Sequence, residues 1–438
     1  MSKSTKKNSV YFPGLNGLRF FAALAVIFTH VELMKKLMRS VYPFEHGWID
    51  LWGPWVTGPN AGQPVVPDYP FKTIIESPVV EWYHPLFSEA GPLGVVFFFV
   101  LSGFLITYLL LAEKDRHWEI NIKSFYLRRI FRIWPLYFFI FVLGFLVLPL
   151  LPAFFVPYQS AVFGISPDGG MIPSDGSFWG TFLCYLFILP NLANAIYGSF
   201  PAIGQSWSIG VEEQFYLVWP LLLRRTKRPF IVMVLFFLIF LIVKVFVVLA
   251  GDFVSFEWWG VARKFFAMSK LECMAMGGIG AWMLYKKKDE ILRLIYHPII
   301  QIGSYLSIVG LLYFTPAVFQ DIIHLAYGTI FLIIIINVSS NPKSLLKLEH
   351  KWLDFLGKVS FGIYMYHMIV IIGLLHLVML VIPAQMVNDW WVQLLLYSST
   401  IGLTILLSYL SYEYFEKRFI RRKSKYTRVV SGEDAKKG

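Results

Sequence analysis

Across 438 residues, 57% are hydrophobic, 18% aromatic and only 15% charged, which leaves too little polar surface to dissolve the chain as an ordinary globular domain. The net charge of +12 would suit a nucleic-acid partner, but Lys and Arg lie between apolar runs and on alternating sides of them, as in membrane loops. No nucleic-acid role is therefore expected. The two cysteines, Cys184 and Cys273, supply neither a disulfide framework nor metal spacing and read as packing residues.

A hydrocarbon core takes ~20 apolar residues per helix, and runs of about that length recur from Leu18 to Tyr412. Backbone groups must pair within each segment in lipid, so helices are expected, and the alternation of barrel strands is missing. The predicted fold is all-α: a polytopic membrane protein with about ten transmembrane helices and both termini cytoplasmic. Spans are placed near 16–38, 91–112, 133–152, 206–223, 230–250, 263–285, 297–314, 320–338, 355–378 and 391–412. The basic start MSKSTKK precedes a run that holds Arg19 and lacks a cleavage pattern, so it reads as a retained first helix. The segments assigned to the inside hold 29 of the 39 Lys and Arg residues, whereas the outside loop 39–90 holds only Arg39 and Lys72 and the outside segment 153–205 holds none.

Residues 178–197 are apolar enough to cross, but a crossing there would place Arg224, Arg225, Lys227 and Arg228 outside. The segment is expected to re-enter or lie at the interface, broken at Pro190. The long loops 39–90 and 153–205, rich in Trp, Tyr, Phe, Pro and Gly, are expected to cap an outer site. The membrane domain is assigned to 1–412 and a basic, partly disordered cytoplasmic tail to 413–438, with no room for an appended domain.

Ionisable residues inside spans are costly and mark function by default. Arg19 and His30 lie three turns apart on nearly one face of the first helix. A lone His is usually satisfied by one hydrogen bond, but it is also the side chain that exchanges a proton near neutral pH. Arg128, Arg129 and Arg132 stand at the mouth of the third span. They serve there as interfacial anchors or, since Arg129 and Arg132 are i, i+3 neighbours, as a bidentate grip on an anion such as a phosphorylated cytosolic ligand. Glu212 and Glu213 near the start of a helix either answer its dipole or orient His30 or pair with Arg19. Tyr364 and His367 are i, i+3 on a late helix. Lys244, Lys270, Glu272 and His376 are assigned to helix pairing or cavity lining.

Five segments in this order resemble the acyltransferase-3 family of membrane proteins, which transfer acyl groups, typically acetyl, to hydroxyls of cell-surface carbohydrates. They are LNGLRFFAALAVIFTH (15–30), GPLGVVFFFVLSGFLITYLL (91–110), the R-x-x-R of Arg129 and Arg132, WSIGVEEQFYLVWP (207–220) and IYMYH (363–367). Asn16 departs from a common Asp, and Gly210 from a common Ser. The resemblance implies an O-acetyltransferase-type enzyme of the bacterial inner (plasma) membrane, surrounded by lipid, with acyl-CoA, in the first place acetyl-CoA, as donor and a carbohydrate acceptor. No metal is expected. It implies catalytic roles for His30 and Arg19, with Glu212 and Glu213 beside them. Donor binding would fall to Arg128, Arg129 and Arg132, and substrate contacts to Trp207, Tyr364 and His367. A proton-coupled transporter or flippase for a lipid-linked glycan or small solute would also need embedded His, Arg and Glu. It would, however, favour inverted repeats, which the chain lacks.

Overall fold

Runs with every backbone donor and acceptor paired internally become helices, and the computed structural model is built of them. It describes residues 9–41, 90–148, 177–200, 202–250, 254, 256–314, 322–382, 386 and 389–431. The helices are α1 (Leu15–Val41), α2 (Ala90–His117), α3 (Ile122–Val142), α4 (Ser177–Leu186), α5 (Pro190–Tyr197), α6 (Trp207–Arg225), α7 (Pro229–Ala250) and α8 (Glu257–Met268). They continue with α9 (Leu271–Tyr285), α10 (Asp289–Tyr296), α11 (Pro298–Phe314), α12 (Ile323–Ser340), α13 (Lys351–Lys358), α14 (Ser360–Val381), α15 (Trp390–Ser411) and α16 (Lys417–Lys423). The strands among the described residues are two dipeptides, β1 (Ser9–Val10) and β2 (Val430–Ser431), which pair in parallel.

Seven helices among the described residues are long and apolar enough to cross a bilayer: α1, α2, α3, α7, α12, α14 and α15. An eighth crossing results if α10 and α11, bent by 61° about their break, form one span. The chain is thus a polytopic all-α membrane protein. The spans expected at 206–223 and 263–285 are the ones that fall short, for identifiable reasons. Helix α6 carries Glu212, Glu213, Arg224 and Arg225, and the second segment is interrupted at Ser269–Lys270 into α8 and α9. The span expected from 355 begins instead at Ser360, after a break at Val359 that separates it from α13.

Outward faces carry the signature of lipid contact. Leu235, Ile239, Ile242, Phe246 and Leu249 form an exposed stripe at helical spacing along α7, and Ile299, Ile302, Leu306 and Val309 another along α11. Inside, α2 is the central helix, packed against α1, α9 and α12. The close approach of α2 and α9 depends on glycine: a side-chain carbon at Gly103 would run into the Met274 carbonyl, and one at Gly277 into the Val100 carbonyl.

The expected break within 178–197 is present. Helix α4 ends at Leu186, Ile188 adopts φ +59° and Pro190 starts α5, where its missing N–H costs nothing. Of the expected outer caps 39–90 and 153–205, residues 42–89, 153–176 and 201 lie outside the described residues, and the remainder of the second cap holds α4, α5 and the turn at Gly204–Ser206. Of the tail, residues 413–431 are folded: α15 runs through a wide turn at Tyr412–Glu416 into α16, a 3-10 turn at Ser424–Tyr426, and β2. Because β2 pairs with β1, the two ends of the described chain lie on one side of the bundle.

Candidate active site

Helix α1 brings His30 against α14. His30 Nδ1 lies 2.9 Å from the Val26 carbonyl and 3.3 Å from Nε2 of His367, with ring centroids 4.9 Å apart. His367 is fully buried, and its Nδ1 lies 2.6 Å from the Tyr364 carbonyl. A carbonyl only accepts, so His367 carries its proton on Nδ1 and presents a bare Nε2. His30 must then hold its own proton on Nδ1, shared between Val26 O and His367. Its Nε2 is left as a lone pair with no hydrogen-bond partner among the described residues, on a half-buried ring. Two backbone carbonyls thus fix the tautomer of a coupled imidazole pair.

Tyr364 anchors this pair from behind. Its hydroxyl donates to the Gln205 carbonyl (3.0 Å) and meets Ser208 Oγ at 2.6 Å. Gln205 Nε2 returns a bond to the Met365 carbonyl at 2.8 Å. These bonds fasten α14 to the turn Gly204–Ser206 that starts α6. Both Tyr364 and His367, expected to touch substrate, are therefore buried behind His30. Trp207, on the first turn of α6, is half-buried and sets its ring edge-on to Phe99, 6.1 Å between centroids.

Three turns back along α1, Arg19 enters a second constellation. Its Nη1 donates to Asn16 Oδ1 at 3.1 Å, and the Asn16 amide reaches Asp354 Oδ1 at 3.5 Å. Asn16, the departure noted in the sequence, thus acts as a neutral spacer between a guanidinium and a carboxylate. Arg19 is in electrostatic reach of Arg129, Arg132 and Glu212. Arg129 is held by ring faces, 5.7 Å from the Phe125 centroid and 5.5 Å from that of Tyr216, and its buried Nε has no hydrogen-bond partner among the described residues. Glu212 accepts from Ser102 Oγ (3.1 Å) and the Tyr216 hydroxyl (2.5 Å), while Glu213 accepts from Trp134 Nε1 (3.1 Å) and keeps a buried Oε1 without a partner. Arginines and carboxylates are neighbours here, but hydroxyls, an indole and ring faces take the direct contacts.

Helix α3 begins at Ile122, capped by Asn121, so the three arginines expected at a helix mouth sit roughly two to three turns inside it. Arg128 is separate from the other two: it pairs with Glu113 at 3.0 Å and donates to the Tyr426 carbonyl at 2.7 Å. Ser102, Trp134, Tyr216 and Ser208 were not singled out from the sequence. Ser102 and Ser208 had a visible signal, a hydroxyl amid an apolar run, whereas the aromatic pair reads as ordinary membrane composition.

A third buried cluster lies between α7, α9 and α12. Glu272 takes Lys244 and His324 on one oxygen, His324 at 2.7 Å, and Lys244 also lies 3.4 Å from His324. This matches the helix-pairing role expected for Lys244 and Glu272. Donor atoms of Glu272, Cys273 and His324 lie within 4.8 Å of one another, but the Lys244 ammonium already neutralises the Glu272 carboxylate beside them.

Comparison with known proteins agrees with the resemblance. Residues 12–412 match the profile of the acyltransferase domain, acyltransferase 3. The O-acetyltransferase OatA of Staphylococcus aureus strain MRSA252 is 25% identical over 456 residues, covering 96% of this chain and 61% of that protein. A candidate O-acetyltransferase of strain COL is 26% identical over 437 residues, covering 94% of this chain and 58% of that one. The chain therefore spans about three-fifths of the length of these curated relatives. No solved structure matches it. With a family match over nearly its whole length, on the segments that carry His30, Arg19, Arg129, Arg132 and Glu212, the chain belongs to the acyltransferase-3 family of membrane proteins.

Proposed function

We propose that this protein is a membrane O-acyltransferase. It moves an acyl group, in the first place acetyl, from acyl-CoA on the cytoplasmic face of a bacterial plasma membrane to a hydroxyl of a carbohydrate or glycolipid presented from the outer face. The observation that carries this reading is His30: its Nδ1 is tied down by Val26 and His367, its Nε2 is open, and Arg19 lies three turns below it on the same helix. In the orientation that places both termini in the cytoplasm, Arg19, Arg129 and Arg132 face the donor and His30 lies deeper, towards the acceptor.

The chemistry is a transesterification from sulfur to oxygen. The acceptor hydroxyl gives its proton to His30 Nε2 as its oxygen attacks the thioester carbonyl. The tetrahedral intermediate collapses with cleavage of the C–S bond, and the thiolate recovers the proton from His30. The products are an ester and free CoA thiol, with no net proton change. General-base help of this kind is typically worth ~10²–10⁴-fold. His367 acts as a positioning residue: by accepting from Nδ1–H it keeps the His30 lone pair on Nε2 and shares the imidazolium charge that develops. Glu212, aimed by Ser102 and Tyr216, adds negative potential near Arg19 that keeps the arginine cluster from repelling the imidazolium.

The test compares the acyl content of surface glycans in cells carrying wild type, His30→Ala and Arg132→Ala at matched membrane abundance. Loss of acylation in His30→Ala, and a defect relieved by raised donor supply in Arg132→Ala, are expected. Unchanged acylation in the His30 variant refutes the assignment. Labelled acyl-His30 trapped with donor and no acceptor would replace direct attack by a two-step route.

A further inference from the structure

Helix α15 does not run straight into α16. Its last turn widens at Tyr412–Glu416, where the Lys417 N–H bonds the Tyr412 carbonyl five residues back. Widened turns of this kind recur at functional sites, because the extra residue re-aims the side chains that follow. Glu413, in the same turn, pairs with Lys417 at 2.6 Å, and both are about a third exposed. Glu416 is instead buried. It accepts from Ser411 Oγ at 3.1 Å on its own helix, and among the described residues no cation comes within ion-pair distance of it. A buried carboxylate in that position has to be explained by a charge further off.

Helix α3 supplies that charge. Arg128, Arg132 and Phe139 stand at i, i+4 and i+11, within about 40° of one another around the helix, so they share one face. The tail covers this face on either side of Arg132. Arg128 Nη1 donates to the Tyr426 carbonyl at 2.7 Å, and the Phe139 ring meets that of Phe415 at 5.4 Å. Glu416, next to Phe415, is in electrostatic reach of Arg132. Arg132 itself makes no hydrogen bond among the described residues. It belongs to the constellation of Arg19 and Arg129, whose three positive charges meet two carboxylates from α6, Glu212 and Glu213. Glu416 is the third carboxylate, and it comes from the tail.

We infer that Glu416 is a positioning residue that sets the affinity of the donor site through Arg132: it is an internal counter-anion with which the phosphates of acyl-CoA compete. This rests on the donor reading given above. In the empty site the carboxylate offsets the third arginine without occupying its N–H groups, which stay open to an anion. In the loaded site the same carboxylate repels the phosphates across a medium that screens poorly, and so favours departure of CoA after transfer. The tail is then part of the donor site rather than a solvated extension.

The experiment uses the full chain in nanodiscs of phosphatidylcholine and measures equilibrium binding of CoA and of pantetheine, which carries no phosphate. The variants are Glu416→Gln, which removes the charge and keeps an acceptor for Ser411, Arg132→Ala, the two combined, and the control Glu413→Gln, which removes the carboxylate that faces Lys417. Melting temperatures of all variants are measured alongside. Glu416→Gln should bind CoA on the order of 3- to 30-fold more tightly than wild type, with pantetheine and the control within about twofold. On the Arg132→Ala background the gain should shrink to about twofold or less. Wild type that binds no CoA overturns the donor reading. Wild type that binds CoA, with Glu416→Gln equal or weaker, leaves that reading intact and overturns the inference. Equal tightening of pantetheine, or a full gain without Arg132, overturns it as well. If Glu416→Gln melts early, Glu416→Met decides: CoA binding no tighter than wild type in that variant overturns the inference.

Discussion

Two charged clusters are buried in this bundle, and they are built on opposite principles. Between α7, α9 and α12, Lys244, Glu272 and His324 touch one another directly, so an ammonium, a carboxylate and an imidazole neutralise and hydrogen-bond locally. Around α1, α3 and α6, Arg19, Arg129 and Arg132 are half-buried, yet none makes a direct ion pair among the described residues. Asn16 holds Arg19 and the rings of Phe125 and Tyr216 hold Arg129, while Ser102, Tyr216 and Trp134 take up Glu212 and Glu213. Taking charges out of water costs several kcal/mol per ion, and direct pairing is the ordinary remedy. A cluster that forgoes it keeps guanidinium donors available for an incoming anion. The first arrangement joins α7 and α12 to α9; under the proposed function, the second receives the donor.

The largest separation between the two is expected from His30→Ala and His324→Ala. Single-turnover acyl transfer should fall by ~10²–10⁴-fold in the first with little change in melting temperature. The second should melt earlier and retain specific activity in its folded fraction. Comparable losses of specific activity in both would erase the distinction drawn here.

Next in size is Glu272→Gln, which leaves the Lys244 ammonium buried without its counter-charge. Breaking such a pair costs ~3–5 kcal/mol, read as early unfolding in detergent, and the double change Lys244→Met/Glu272→Leu should recover most of it. Failure of the double variant to recover would show that the pair does more than join helices.

Arg132→Ala should behave oppositely, with a near-normal melting temperature because no direct bond is lost. Its KM for acyl-CoA should rise ~10-fold or more, the loss of charge-assisted hydrogen bonds worth ~1.5–3 kcal/mol. The smallest effect is assigned to Tyr364→Phe, which removes the bonds to Ser208 and Gln205 and should cost ~0.5–1.5 kcal/mol. Its kcat should drop by less than about tenfold with KM for donor unchanged; a rise in that KM instead would mean the hydroxyl contacts the donor.

Much of this site is legible as residue types. His30, Arg19, the arginines of α3 and the two glutamates of α6 stand out because ionisable groups inside apolar runs are too costly to be incidental. Their connections are not legible. Nothing in IYMYH shows that His367 faces His30 rather than a substrate, because i, i+3 spacing gives a face and not a neighbour. Nothing in SKYTRVV shows that Tyr426 stacks on Phe131 and that the tail returns to β1, since two-residue pairing leaves no periodic pattern. Nor does the sequence tie His324 to Lys244 and Glu272, whose cluster it completes from 52 residues beyond Glu272.

By itself the sequence determined the solvent of the fold, its helical class, its family and which side chains bear charge within it. These follow from composition, run length and local order, which require no partner segment. Only the tertiary structure decided that α8 and α9 are separate helices, that Arg128 pairs with Glu113 while Arg129 points inward, and that His30 holds its proton on Nδ1. Each of these depends on a group far along the chain, and a hydrogen bond or ion pair is fixed by distance in space, on which spacing in sequence is silent.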